Sequence, residues 1–172
     1  MNIGMRSAAA LMLAAIGTAN AQTLTIGSSA PVTSMDPHYH TLAPNISAHA
    51  HIYDRLIDLD PAGHLIPGLA TSWKLRDDKT WELKLRPAKF HDGSDFTADD
   101  VVYTLARVPK VKNSPASFQI YTRAVTSTEI IDPHTILLKT STPHPILPYD
   151  LLQVFMIPRG LGAEPATEDF NS

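Results

Sequence analysis

Hydrophobic and polar positions change their spacing several times along the chain, and each change marks an element. Trp73 and Leu75 alternate with polar neighbours. After the turn Arg76-Asp77-Asp78-Lys79, Trp81, Leu83 and Leu85 alternate with Glu82, Lys84 and Arg86. This period of two predicts a hairpin with one apolar face and one charged face, packed on one side only. Both tryptophans then belong to its core. A second hairpin is expected from Val125–Ile131 and Thr135–Thr140 around Asp132-Pro133-His134.

Between the hairpins the period becomes helical. Val101, Val102, Leu105 and Val108 form one stripe, Thr97 and Asp100 match a capping box, and Pro109 closes the helix. An earlier helix is expected after Pro44, with Asn45 or Ser47 as N-cap and Ile46, Ala50, Tyr53, Leu56 and Ile57 on one face. A short helix over Tyr149–Val154 and a returning strand, Phe155-Met156-Ile157, follow the second hairpin. Leu24-Thr25-Ile26-Gly27 reads as a first strand, and Met35-Asp36-Pro37-His38, Asp60-Pro61-Ala62-Gly63 and His91-Asp92-Gly93-Ser94 read as turns. Lys110–Ser117 is a polar loop, and from Arg159 onward no element is expected. The fold class is α/β in the α+β sense.

The N-terminus carries a different pattern. A short basic start ends at Arg6, Ala8–Ile16 is an apolar run of nine residues, and Ala19-Asn20-Ala21 fits a small-residue cleavage site. The run is too short for a membrane span, which needs about twenty residues. An export signal cleaved after Ala21 is expected, with residues 22–172 as the mature product.

Composition narrows the class. Apolar residues make up 44% and charged residues 18%, which describes a globular chain, and fourteen prolines against eight glycines favour short strands and fixed turns. A net charge of −3 provides no basic stripe for nucleic acid. No cysteine occurs, so there is neither a disulfide nor a residue for a lipid anchor. A soluble, monomeric periplasmic protein is the expectation.

Catalytic chemistry finds little support. His38, His40, His49 and His51 are the one histidine cluster, but positions i and i+2 of a helix diverge and no cysteine or glutamate completes a site. They are expected to be surface or gating residues, with no metal. No nucleophile elbow or phosphate loop occurs, and the His91-Asp92 pair reads as a turn. No cofactor is implied. A metal-dependent hydrolase using the histidines is the enzymatic alternative, and it is disfavoured.

One series of motifs is more specific. Gly68-Leu69-Ala70-Thr71-Ser72-Trp73 runs into Trp81-Glu82-Leu83-Lys84-Leu85-Arg86, then Phe90-His91-Asp92-Gly93 and Thr97-Ala98-Asp99-Asp100-Val101. In this order the segments resemble the signature of the extracellular solute-binding protein family 5, the oligopeptide, dipeptide and nickel binders. Met35-Asp36-Pro37-His38, Tyr53-Asp54-Arg55-Leu56 and Asp132-Pro133-His134-Thr135 resemble its flanking motifs.

The resemblance implies a periplasmic binding protein-like type II fold, in which two lobes close over a solute and a small domain is inserted early in lobe one. It divides this chain into the signal 1–21, the start of lobe one at 22–57, the inserted α+β domain at 58–157 and a return segment at 158–172. Family members run considerably longer, so the second lobe is expected to be missing. The implied function is the substrate-binding component of an ABC importer for peptides or similar solutes, with inner-membrane permease subunits as partners. Nickel, haem or opines are alternative solutes. The loop after Asp36-Pro37, here Leu42, Ala43, Pro44 and Asn45, would line the solute, and Phe118 and Tyr121 would approach the same cleft. Asn45 stands where some relatives carry an acidic residue. If a complete protein bound with about −8 kcal/mol, half of that would leave only millimolar affinity. The 172-residue product is therefore expected not to support transport alone.

Overall fold

The computed structural model describes Thr25, Gly27, Ser28 and residues 30–162 and 166–171. The expected signal, Met1–Ala21, lies outside the described residues, as do Leu24 and Ile26 of the expected first strand. Thr25 and Gly27 carry no regular structure.

Both hairpins form and merge into one antiparallel sheet. Strands β3 (Ala70–Asp77) and β4 (Thr80–Leu85) make the first, and β5 (Val125–Asp132) and β6 (Thr135–Thr140) the second. The order is β3-β4-β6-β5, with Trp81 opposite Leu138 and Leu83 opposite Ile136. These four side chains share a face and are buried in one cluster with Val101, Leu105 and Val108. Trp81 is buried and its indole N–H donates to the His144 carbonyl at 3.2 Å, whereas Trp73 is only partly buried. On the opposite face Glu82 is paired with Lys74 and Arg76, each at 3.1 Å.

Helix α2 (Ala98–Arg107) supplies the other layer. Its start is the expected box: one Asp100 carboxylate oxygen accepts from the Thr97 N–H at 2.8 Å. The other oxygen accepts from the Arg159 N–H at 3.0 Å, so the cap also anchors the segment beyond Pro158. The helix passes into a 3-10 turn at Val108–Lys110, where Pro109 sits without interrupting a helical hydrogen bond.

Four expectations change. The helix expected after Pro44 is α1 (Ala43–His49), which starts one residue before the proline and ends well before Leu56. Leu56 and Ile57 turn instead into extended backbone, because the Arg55 and Leu56 carbonyls accept from Leu69 and Ala70 N–H groups at 2.8 Å. Strands β1 (Ile57–Leu59) and β2 (Leu65–Pro67) thereby form a two-stranded ladder around the Asp60–Gly63 turn. Tertiary pairing outweighs the apolar period here. The Tyr149–Val154 helix is displaced to α4 (Leu147–Leu151), since Pro148 fits a first turn, where its missing N–H is harmless. Phe155–Ile157 is no strand, and only Phe155 bridges to Arg55. Beyond Arg159 two 3-10 turns occur, Arg159–Leu161 and Thr167–Phe170.

Gly68 sits tight against the backbone of Arg55 and Leu56. A Cβ there would stand 2.5 Å from the Arg55 carbonyl oxygen and 3.1 Å from that of Leu56. Gly68→Ala should therefore lower stability by about 1–3 kcal/mol, read as a shift in the urea midpoint at constant slope. An unchanged midpoint would contradict that close approach.

Candidate functional site

Asp36 lies in the segment before α1 and Arg107 at the end of α2, and the fold brings them together with no exposed surface on Asp36. Arg107 Nη1 donates to Asp36 Oδ1 at 2.8 Å and Nη2 to Oδ2 at 2.6 Å, a two-pronged pair that uses the fork geometry of guanidinium. Thr167 Oγ1 donates to Oδ2 at 2.8 Å, and the Phe170 ring stacks 4.7 Å from the guanidinium carbon. Asn171 Oδ1 accepts from the Met35 N–H at 2.7 Å. The Thr167–Phe170 turn is thus docked on the Ser34–His38 segment through polar contacts that hydrophobic patterning does not register.

His38 completes the cluster. Arg107 Nη1 also donates to His38 Nδ1 at 2.9 Å, and His38 Nε2 lies 2.8 Å from the Phe155 carbonyl. Guanidinium can only donate, so Nδ1 must be the unprotonated nitrogen and Nε2–H the donor. Burial pushes the imidazole pKa down to about 4, and the adjacent Arg107 charge adds to this against the opposing pull of the Phe155 carbonyl. For Asp36, burial works to raise the pKa, but Arg107 and the His38 N–H prevail and hold the carboxyl below its usual range.

Both shifts have the same consequence in acid. His38 should contribute fully above pH 6.5, its unfolded value, and lose its contribution as the pH falls toward 4. Asp36 adds a further loss below 3.8. Stability by urea unfolding should therefore fall by about 2.5 kcal/mol between pH 7 and 4.5. His38→Gln should remove most of that slope, and an equal slope in the variant would contradict the assignment.

The histidines expected at the surface are divided by this arrangement. His38 and His49 are fully buried, and His49 Nε2 lies 3.0 Å from the Ser34 carbonyl. They are buried because the segment before α1 folds back across the helix. His40 is half-buried and His51 exposed. The four rings do not converge, and among the described residues no group of three or more His, Cys, Asp or Glu side chains is arranged to hold a metal. Asp92 accepts from the Ser94 N–H at 2.9 Å and closes a turn.

The six expected solute residues fall on two neighbouring segments. His40 bridges Ala116, and Ser114 Oγ donates to the Tyr39 carbonyl at 2.6 Å, so the loop before α1 runs beside the segment leading to Phe118. Leu42 and Ala43 are exposed and Pro44 is half-buried. Asn45 is fully buried, and its Oδ1 accepts from the Thr33 N–H at 3.2 Å. Phe118 is also fully buried at the start of α3 (Gln119–Thr122), its ring 6.3 Å from His38 and 6.0 Å from the partly buried Tyr121. None of the six lines either of the two principal cavities. One, of about 420 Å³, lies between Tyr39, Tyr103, Lys112 and Asn171. The other, of about 580 Å³, lies between Tyr53, Phe90, Met156 and Phe170.

Residues 64–171 match the model of the bacterial extracellular solute-binding proteins, family 5 middle region. The chain belongs to this family. The periplasmic oligopeptide-binding protein OppA of Escherichia coli K12 is 33% identical over 156 residues, which cover 81% of this chain and 28% of OppA. Among solved structures, NikZ of Campylobacter jejuni with Ni(L-His) superposes with a TM-score of 0.68 at 25% identity, covering 79% of this chain and 27% of NikZ. AgaA of A. tumefaciens R10 with agropinic acid gives 0.66 at 26% identity, over 76% of this chain and 27% of AgaA. The mixed α/β fold of type II periplasmic binding proteins, expected from the motifs, is thus the fold of family 5 and of this chain. The chain spans little more than a quarter of the length of the relatives it matches. Family 5 consists of binding proteins rather than enzymes. Among the described residues no helix is long and apolar enough to cross a membrane.

Proposed function

We propose that this chain is the N-terminal region of a periplasmic substrate-binding component of an ABC importer that takes up peptides or similar solutes. The match of residues 64–171 to family 5 carries this reading. Residues 58–157 form the inserted small domain, residues 22–57 open lobe one and residues 158–172 return to it. Two contacts support that division: Arg55 bridges Phe155, and the Met156 N–H donates to the Asp54 carbonyl at 2.9 Å. The chain therefore enters and leaves the small domain at one place, as an insertion requires.

Within the site, Leu42, Ala43 and Pro44 present the solute-facing edge and Tyr121 the neighbouring aromatic contact. Asn45 and Phe118 set that edge from beneath, through Thr33 and His38. The partners are a peptide solute and permease subunits of the inner membrane, and the protein reaches the periplasm through a signal cleaved after Ala21. The remaining contacts to the solute come from regions of the relatives with which this chain does not align. Residues 22–172 alone therefore bind weakly and do not support transport.

A thermal-shift panel tests the solute class on the protein as its source expresses it. Short peptides should raise the melting temperature in a concentration-dependent way. A shift with nickel-histidine complexes or opines and none with peptides would overturn the peptide assignment and leave the importer reading in place. Haem binding, read by its absorption band, would do the same.

A further inference from the structure

The clasp around Arg107 holds the segment that runs directly into the proposed solute loop, and its hydrogen-bond polarity admits only one protonation state. We propose that His38 makes this clasp acid-sensitive, so that protonation releases the Ser34–Leu42 segment and the Thr167–Asn171 turn and loosens the solute-facing edge. The proposal rests on the solute-binding reading above and names a regulation of that site.

The geometry carries it. Nδ1 of His38 accepts from Arg107 Nη1 at 2.9 Å, and Nε2 donates to the Phe155 carbonyl at 2.8 Å. A proton added to Nδ1 would turn that acceptor into a donor facing a guanidinium donor, two positive groups in a site without exposed surface. The groups around the ring offer little relief. Asp36, on the same segment, is already engaged at both oxygens by Arg107, with Thr167 as a further donor. From α1 comes His49, directed at the Ser34 carbonyl, and beyond it Tyr53, whose hydroxyl donates to the Met35 carbonyl at 3.1 Å. From α3 comes the Phe118 ring edge. Glu168 and Lys110 line a cavity together with Arg107. The cheapest response is separation of the His38 segment from Arg107. That segment leads through Tyr39 and His40 into Leu42, and Asp36 carries the Thr167 contact with it.

The depressed imidazole value agrees in direction. Between pH 7 and 4.5 the opening equilibrium should rise roughly 50- to 100-fold. Hydrogen exchange on the whole chain reads this directly, as protection factors corrected for the intrinsic pH dependence of exchange. Amides of residues 34–42 and 167–171 should lose protection on that scale, while those of β4 and β6 keep theirs. His38→Gln, which keeps one acceptor and one donor but cannot be protonated, should abolish the effect. NMR of the wild-type ring should show His38 still neutral at pH 6 and protonating only as the pH falls toward about 4, which keeps the test valid if the variant fails to fold. Unchanged protection in the two segments, the same loss in His38→Gln, or parallel loss in the sheet would each overturn the proposal. Trialanine binding at pH 7, where the clasp is closed, is measured separately on the protein as its source expresses it. A clasp response without it would leave the switch standing and remove peptide as the solute it controls.

Discussion

Arg107→Met should destabilise the fold by about 3–5 kcal/mol. The Asp36 carboxylate would stay buried with its charge uncompensated, and that penalty dominates when one member of a buried pair is removed. The double variant Asp36→Leu/Arg107→Met should recover much of the loss, because replacing both partners by apolar groups removes the stranded charge. Urea unfolding at pH 7 measures both. A single variant within about 1 kcal/mol of the parent would show that the pair holds nothing together.

Phe118→Ala should cost about 3–5 kcal/mol as well, for a different reason. The ring has no exposed surface and fills the space between His38 and Tyr121, so truncation leaves a cavity that a four-residue helix cannot collapse to fill. Phe118→Leu should cost far less, since it restores most of the volume. At Tyr121, which is only partly buried, Tyr121→Ala should weaken solute binding more than it weakens the fold. A mild Phe118→Ala effect on stability together with a large one on binding would reverse the roles assigned to these two rings.

The elements that could be read from the sequence are those whose stability is local. Trp81, Leu83 and Leu85 alternate because one strand face meets α2, and Thr97 with Asp100 satisfies a helix start within four residues. The segment from Ile46 to Ile57 misled because its apolar period is equally compatible with a longer helix. The deciding bonds come from Leu69 and Ala70, distant in sequence. The site was the least legible part. Asp36-Pro37 reads as a turn and Arg107 as the polar end of a helix, and nothing local joins residues 71 positions apart. Arg107 falls on the side of the helix away from the Val101, Val102, Leu105 and Val108 stripe, where a solvent-facing charge is expected, so the sequence held no signal of its burial. His38 and His49 were misplaced for the same reason, since their burial depends on the segment before α1 folding back.

The importer reading is tested most directly by native mass spectrometry of the product carrying residues 58–157, captured from periplasmic fluid without refolding. The expected result is a species whose N-terminus is Gln22 and which releases a peptide-class solute on activation in the gas phase. A species heavier than residues 22–172 that is solute-free and takes up no peptide, opine or nickel complex when these are added would contradict the solute-binding assignment.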